Sequence, residues 1–320
     1  NSIEVDEQGE IWLVAKQDIT LYSESSLLAN NELGDAGGIK LENSEGIIRT
    51  LGKIHANSND AEGGQIQILG DSLGLAGSIE ANGRTGGDIS IQGDTVSLAE
   101  NIEAKGNQST GGSISIDVTS KSFGFNGSVI DASGGANGGS ILYKAGTQSI
   151  LSSEFRVEGH SGTGGNIDLT SNSLKLLSAT LNADGSDAGG RIRIGGEYQG
   201  GKNLVTDELR NADYLDVSNG TVITAKSTSQ NGDGGEAIIW ADQLATMYGE
   251  VTVQQGIFSE MGGFVEISAG EELVYGGNVN AGQNGNVLFD PKNIVIDDNP
   301  VGTGIAQYAL VLSATDVTDY

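Results

Sequence analysis

The residues best placed to do chemistry occur once per repeat: His55, Glu80, Glu103, Asp131, Arg156 and Asn182. Each follows an aliphatic or aromatic residue and precedes a small apolar one, as in Ile54-His55-Ala56, Ile79-Glu80-Ala81, Ile102-Glu103-Ala104 and Ile130-Asp131-Ala132. Where such repeats stack, three carboxylates stand about 5 Å apart, and their repulsion in water costs on the order of 1 kcal/mol per neighbouring pair. A hard cation such as Ca²⁺, which takes oxygen ligands, would relieve it, and Arg156 caps the row with a positive charge. Glu80, Glu103, Asp131 and Arg156 are therefore the candidate ligand-binding residues. The competing reading is a solvated charged column whose long side chains splay apart.

Stacking has to come from the elements that carry the row. Paired glycines recur from Gly37-Gly38 and Gly63-Gly64 to Gly262-Gly263, about 25 residues apart. Most are followed by a period of two, as in Gln65-Ile66-Gln67-Ile68 and Ser113-Ile114-Ser115-Ile116, the mark of a half-buried strand. Runs such as Thr95-Val96-Ser97-Leu98 come next, and the aliphatic-x-Ala pattern completes the unit. No unit sustains helical spacing over three turns. Three short strands between glycine turns make one coil of an all-β solenoid, a parallel β-helix of ten to eleven coils. A β-sandwich is the competing arrangement, with strands paired inside each unit. Two inward columns are expected, Ile66, Ile89, Ile114, Ile141, Ile167 and Ile192, then Ile68, Ile91, Ile116, Tyr143, Leu169 and Ile194. The paired glycines allow either a positive φ or a close backbone approach.

One interval is longer than a coil, and the surplus falls at about 195–211, an excursion in which Thr206 to Arg210 suits a helical turn capped by Thr206. Residues 1–296 form the repeats, and 297–320 are an extension or cap, with Ala306 to Ala314 able to cover the last coil or lead into a further domain. Alternation also places Arg191 and Arg193 outward, beside Glu236 and Asp168 of adjacent coils, where opposite-charge ladder pairs account for them. Trp12 and Trp240 fall outward too, to stack on sugar rings or to pack against the excursion or a neighbouring rod.

Composition narrows the classes. Of 320 residues 51 are glycine, two are proline and none is cysteine, so disulfide frameworks, thiolate metal sites and collagen are excluded. His55 and His160 are the only histidines, too few for a multi-histidine metal centre. The formal net charge of −27 disfavours nucleic acid and anionic membranes. No apolar run approaches a membrane span, and no leader is visible from Asn1. Calcium-binding nonapeptide repeats, Walker loops, His-Glu-x-x-His and Gly-x-Ser-x-Gly are absent. No cofactor is implied, and Ca²⁺ is the one ion the carboxylate row suggests.

Four blocks carry a family resemblance: Gly189 to Gly200 (GGRIRIGGEYQG), Asn231 to Asp242 (NGDGGEAIIWAD), Gly262 to Ser268 (GGFVEIS) and Leu288 to Ile296 (LFDPKNIVI). In order and spacing they resemble large bacterial exoproteins of the filamentous haemagglutinin-like type, the two-partner secretion adhesins. The resemblance covers about 189–296; upstream it rests on repeat style. It implies a right-handed parallel β-helix, secretion to the surface of a Gram-negative cell through an outer-membrane transporter, and contact with host or neighbouring cells, glycans, matrix or biofilm. The family's N-terminal secretion domain carries Asn-Pro motifs, whereas the prolines here are Pro291 and Pro300, so an interior segment of a larger polypeptide is expected. The reading is a non-enzymatic adhesin or stalk segment. Its alternative is a polysaccharide lyase or hydrolase, or a carbohydrate-binding β-helix, since pectate-lyase-like enzymes use carboxylate rows on such a fold.

Overall fold

A computed structural model of the chain describes residues 2–4, 9–124, 127–201, 209–296 and 310–313. Among the described residues the regular structure is β apart from one 3₁₀ turn, Tyr198–Gly201, and no helix is long and apolar enough to cross a membrane. Strands pair in parallel with their counterparts one repeat away: Ile54 beside Ile79, then Ile102, Ile130, Phe155 and Leu181. That pairing is a solenoid and excludes the sandwich. The sheet carrying the aliphatic-x-Ala pattern has 11 strands, one per coil, from Ser2–Glu4 to Asn278–Asn280.

Each coil has three walls. The first follows the glycines, the second holds residues such as Val96 and Leu98, and the third holds the aliphatic-x-Ala pattern. The sequence predicts three separate strands per coil, but in five central coils the first two walls run together, as in Gln65–Leu75, Asp88–Leu98 and Asn166–Leu177. Hydrogen bonding between coils continues around the corner through Gly70 and Gly93, with a slip between Gly93 and Thr95 where the next coil joins.

Both isoleucine columns face inward, each member at most 1% exposed. β-branched side chains suit this narrow interior because their restricted χ1 costs little more on burial. Tyr143 interrupts the second column: its hydroxyl bonds Ser122, which stands where Val96 stands one coil earlier, and its ring lies 6.4 Å from that of Phe155. Burial pushes the Tyr143 phenol up to about 12, the Ser122 bond opposing the shift.

The glycine requirement at the first corner is steric. None of the glycine pairs at these repeat corners has a positive φ, but a Cβ on Gly64 would lie 1.9 Å from the Gly37 carbonyl oxygen and 2.8 Å from Ala56 Cβ. Gly64 N–H donates to Ala56 O at 2.8 Å, so the same tight corner explains why alanine ends the third-wall pattern. At the C-terminal end Leu310–Ser313 pairs antiparallel with Asn293–Ile296, occupying an edge that would otherwise be open. Most of 297–320, and Thr206 with its expected helical turn, lie outside the described residues.

Candidate functional site

Parallel register brings the third-wall row together as expected, with His55, Glu80, Glu103, Asp131, Arg156 and Asn182 on successive strands. The carboxylates are not splayed into solvent. The side chains of Glu80 and Glu103 are 26% and 17% exposed, and Asp131 is buried. A second polar column two residues further on engages them. Asn57 Nδ2 donates to Glu80 Oε2 at 2.9 Å and Asn82 Nδ2 to Glu103 Oε2 at 3.2 Å. Their Oδ1 atoms accept the backbone N–H of Asn82 and Lys105 in the following coil, at 2.8 and 2.7 Å. Asparagines in such places are also ordinary turn formers. The signal that finds the ladder is their fixed place after Ile-x-Ala, in IHAN and IEAN.

Cations and backbone complete the neutralisation. Lys105 Nζ lies 2.7 Å from Glu103 Oε2, and Asp131 Oδ1 accepts Ser133 N–H at 2.8 Å. His55 Nε2 lies 2.7 Å from Ser78 Oγ and 3.3 Å from Glu80 Oε1. Burial lowers the His55 pKa, outweighing the attraction of Glu80. Arg156 does not bond to Asp131; its Nη2 pairs with Glu154 Oε2 at 2.6 Å on its own strand. That bond raises the Arg156 pKa, with Asp131 and Glu158 adding to it through space. Among the described residues no group of three or more His, Asp and Glu is gathered closely enough to hold a metal ion.

A second constellation lies on the outer face of the first wall. Arg193 makes two bonds of 2.6 Å to Asp168, one coil before, and Arg191 Nε lies 3.1 Å from Glu236, one coil after. Glu197, from the excursion, reaches back to both arginines. The excursion then closes over the wall. Gln199 N–H is shared by the two carboxylate oxygens of buried Glu266 at 3.1 and 2.9 Å, and the Tyr198 and Phe264 rings meet edge to face at 5.8 Å. Gly200, at φ +66, lies against the Trp240 indole, where a Cβ would stand 2.6 Å from the ring. Trp240 donates to Asp242 at 2.8 Å, and Asn211 joins Asp242 to the Gly200 carbonyl.

Two tryptophans expected outward thus meet different fates. Trp240 is outward on its strand yet 4% exposed beneath this clasp, whereas Trp12, on the same wall nearer the N-terminus, is 66% exposed beside an open groove.

No protein-family model matches the sequence, and no curated protein matches it. Among solved structures the chain is similar to the HMW1 secretion domain from Haemophilus influenzae, with 16% identity and a TM-score of 0.42 over 92% of this chain and 95% of that one.

Proposed function

We propose that this chain is a non-catalytic solenoid segment of an exported bacterial exoprotein of the two-partner secretion type. It holds surfaces for cell, matrix or biofilm contacts at the exterior of a Gram-negative cell. The observation that carries the reading is the engagement of the Glu80, Glu103 and Asp131 row within the coil stack. A general acid or base needs a carboxylate free to exchange a proton with substrate, and these accept hydrogen bonds from Asn57, Asn82 and the Ser133 backbone instead. The resembling blocks support the same view, because Glu197, Tyr198, Gly200, Trp240 and Glu266 all lie within them and build the clasp.

The alternative, a polysaccharide lyase or hydrolase, requires Glu80, Glu103, Asp131 and Arg156 to converge with a further base. One experiment separates the two. The protein is applied to a glycan array and to intact cells in calcium and in chelator, and incubated with acidic polysaccharides while unsaturated products are monitored. Binding without turnover is expected. Turnover abolished by Glu103→Gln would overturn the proposal.

A further inference from the structure

We infer that the N-terminal half of the first wall, which no other described residues cover, is a binding groove for a neutral linear glycan, with Trp12 as the stacking platform at one end. This rests on the presenting role proposed above and gives it a location and a ligand class. One outward column of that wall runs Trp12, Lys40, Gln67, Ser90 and Ser115 in successive coils. Side chains shrink along it from indole to hydroxymethyl, and the surface sinks into a groove of about 540 Å³ that crosses five coils. At about 4.8 Å per coil its floor is about 19 Å long.

Three features select the occupant. The Trp12 indole is the large aromatic face on this surface, and such rings pair an apolar face with a polar edge, which suits a pyranose. Below it, the side chains of Gln65, Gln67, Ser90, Ser113 and Ser115 have no hydrogen-bond partner among the described residues, in contrast to the engaged row on the third wall. These are neutral amides and hydroxyls, groups that exchange hydrogen bonds with sugar hydroxyls without charge. Charge then excludes the acidic glycans: the cation of the groove, Lys40, is paired with Glu42 at 2.7 Å, Glu10 and Asp88 line the rim, and the whole chain carries −27. A polar group repeated once per coil offers equivalent contacts at a fixed interval, which matches a polymer of like units better than a compact ligand.

The test uses the full chain and its intrinsic fluorescence, since Trp12 is open to iodide and Trp240 is covered. Linear hexasaccharides of neutral β-1,4-glucan, β-1,4-mannan and α-1,4-glucan are titrated against an oligogalacturonate control. At least one neutral hexasaccharide should blue-shift the emission and suppress iodide quenching. Trp12→Ala, which keeps the wild-type far-UV spectrum because the ring faces solvent, and Gln67→Ala should each weaken binding by about tenfold. Absence of shielding by every neutral glycan, preference for the oligogalacturonate, or shielding that tracks self-association in sedimentation would each overturn the site, the last assigning the groove to a second copy. Cell binding by a protein that no neutral glycan shields removes the site and leaves the presenting role. Polysaccharide turnover removes the presenting role and leaves the groove to be judged by shielding alone.

Discussion

A methyl group added at Gly64 would lie 1.9 Å from the Gly37 carbonyl oxygen, whereas one added at Gly74 would meet nothing nearer than 3.8 Å. The two glycines therefore separate steric need from composition. Gly64→Ala must push two coils apart and should cost about 3 kcal/mol or more. Gly74→Ala, in a strand with ordinary φ, should be neutral or stabilising by up to about 1 kcal/mol, because it restricts the unfolded chain. Urea denaturation of both variants checks the pair, and equal effects would refute the corner argument. His55 supplies a second test. Its native pKa lies below the unfolded value of about 6.5, so between those values the unfolded chain binds more protons. The stability that neutral His55 contributes is complete above about pH 6.5 and is lost as pH falls through the native pKa. The melting temperature should drop more steeply between pH 7 and pH 5 in the wild type than in His55→Gln. Parallel slopes would remove His55 from the acid response.

The clasp is an element with an electrostatic hinge. The Arg193, Asp168 and Glu197 side chains are 16%, 14% and 12% exposed, so removing the guanidinium leaves Asp168 without its cation away from water and Glu197 held by Arg191 alone. Arg193→Ala should cost about 3–5 kcal/mol, expressed locally as clasp release: faster proteolysis within 195–211 and red-shifted Trp240 emission. Arg193→Lys should recover only part of this, because an ammonium cannot reproduce the two-bond fork to Asp168. Unchanged proteolysis in Arg193→Ala would show that the Gln199–Glu266 bonds, the ring contacts and Asn211 hold the excursion without Arg193. This element also shows where sequence legibility stops. Pairs set by coil register, Asp168 with Arg193 and Arg191 with Glu236, follow from spacing alone. The contacts from Glu197 to the arginines and from Gln199 to Glu266 join an aperiodic loop to a sheet, so no repeat announces them. Trp240, outward by alternation, takes one of the roles its position allows and packs beneath the excursion, though spacing alone does not say which tryptophan does so. The Asn57 and Asn82 ladder was periodic and so readable in principle, but asparagine is so common in turns that its column role was obscured.

At the scale of the whole molecule the coil is the unit of both stability and register. Every inward column continues from coil to coil without exchange of position, so each coil contacts mainly its two neighbours and stability is close to a sum of coil and interface terms. The number of coils was legible for this reason: an interval between glycine corners that recurs along the chain is what stacking demands. The same logic makes a deletion prediction. Gly64 and Gly87 occupy equivalent corners, their missing Cβ positions facing Gly37 O and Gly64 O respectively. Removing residues 64–86 therefore joins Gly63 to Gly87 and sets Ile39 on Ile89, Ile54 on Ile102 and His55 on Glu103, every side chain still on its own wall. That protein should fold with the wild-type far-UV spectrum and melt cooperatively within a few degrees of the parent. Removing only residues 64–75 deletes two walls of a coil and leaves two third-wall strands in succession, so the chain cannot pass around the axis and the stack is cut. Melting should then broaden or split, or the protein should aggregate, even though fewer residues were lost. If the shorter deletion were tolerated as well as the longer one, nearest-neighbour stacking would not be what holds this molecule together.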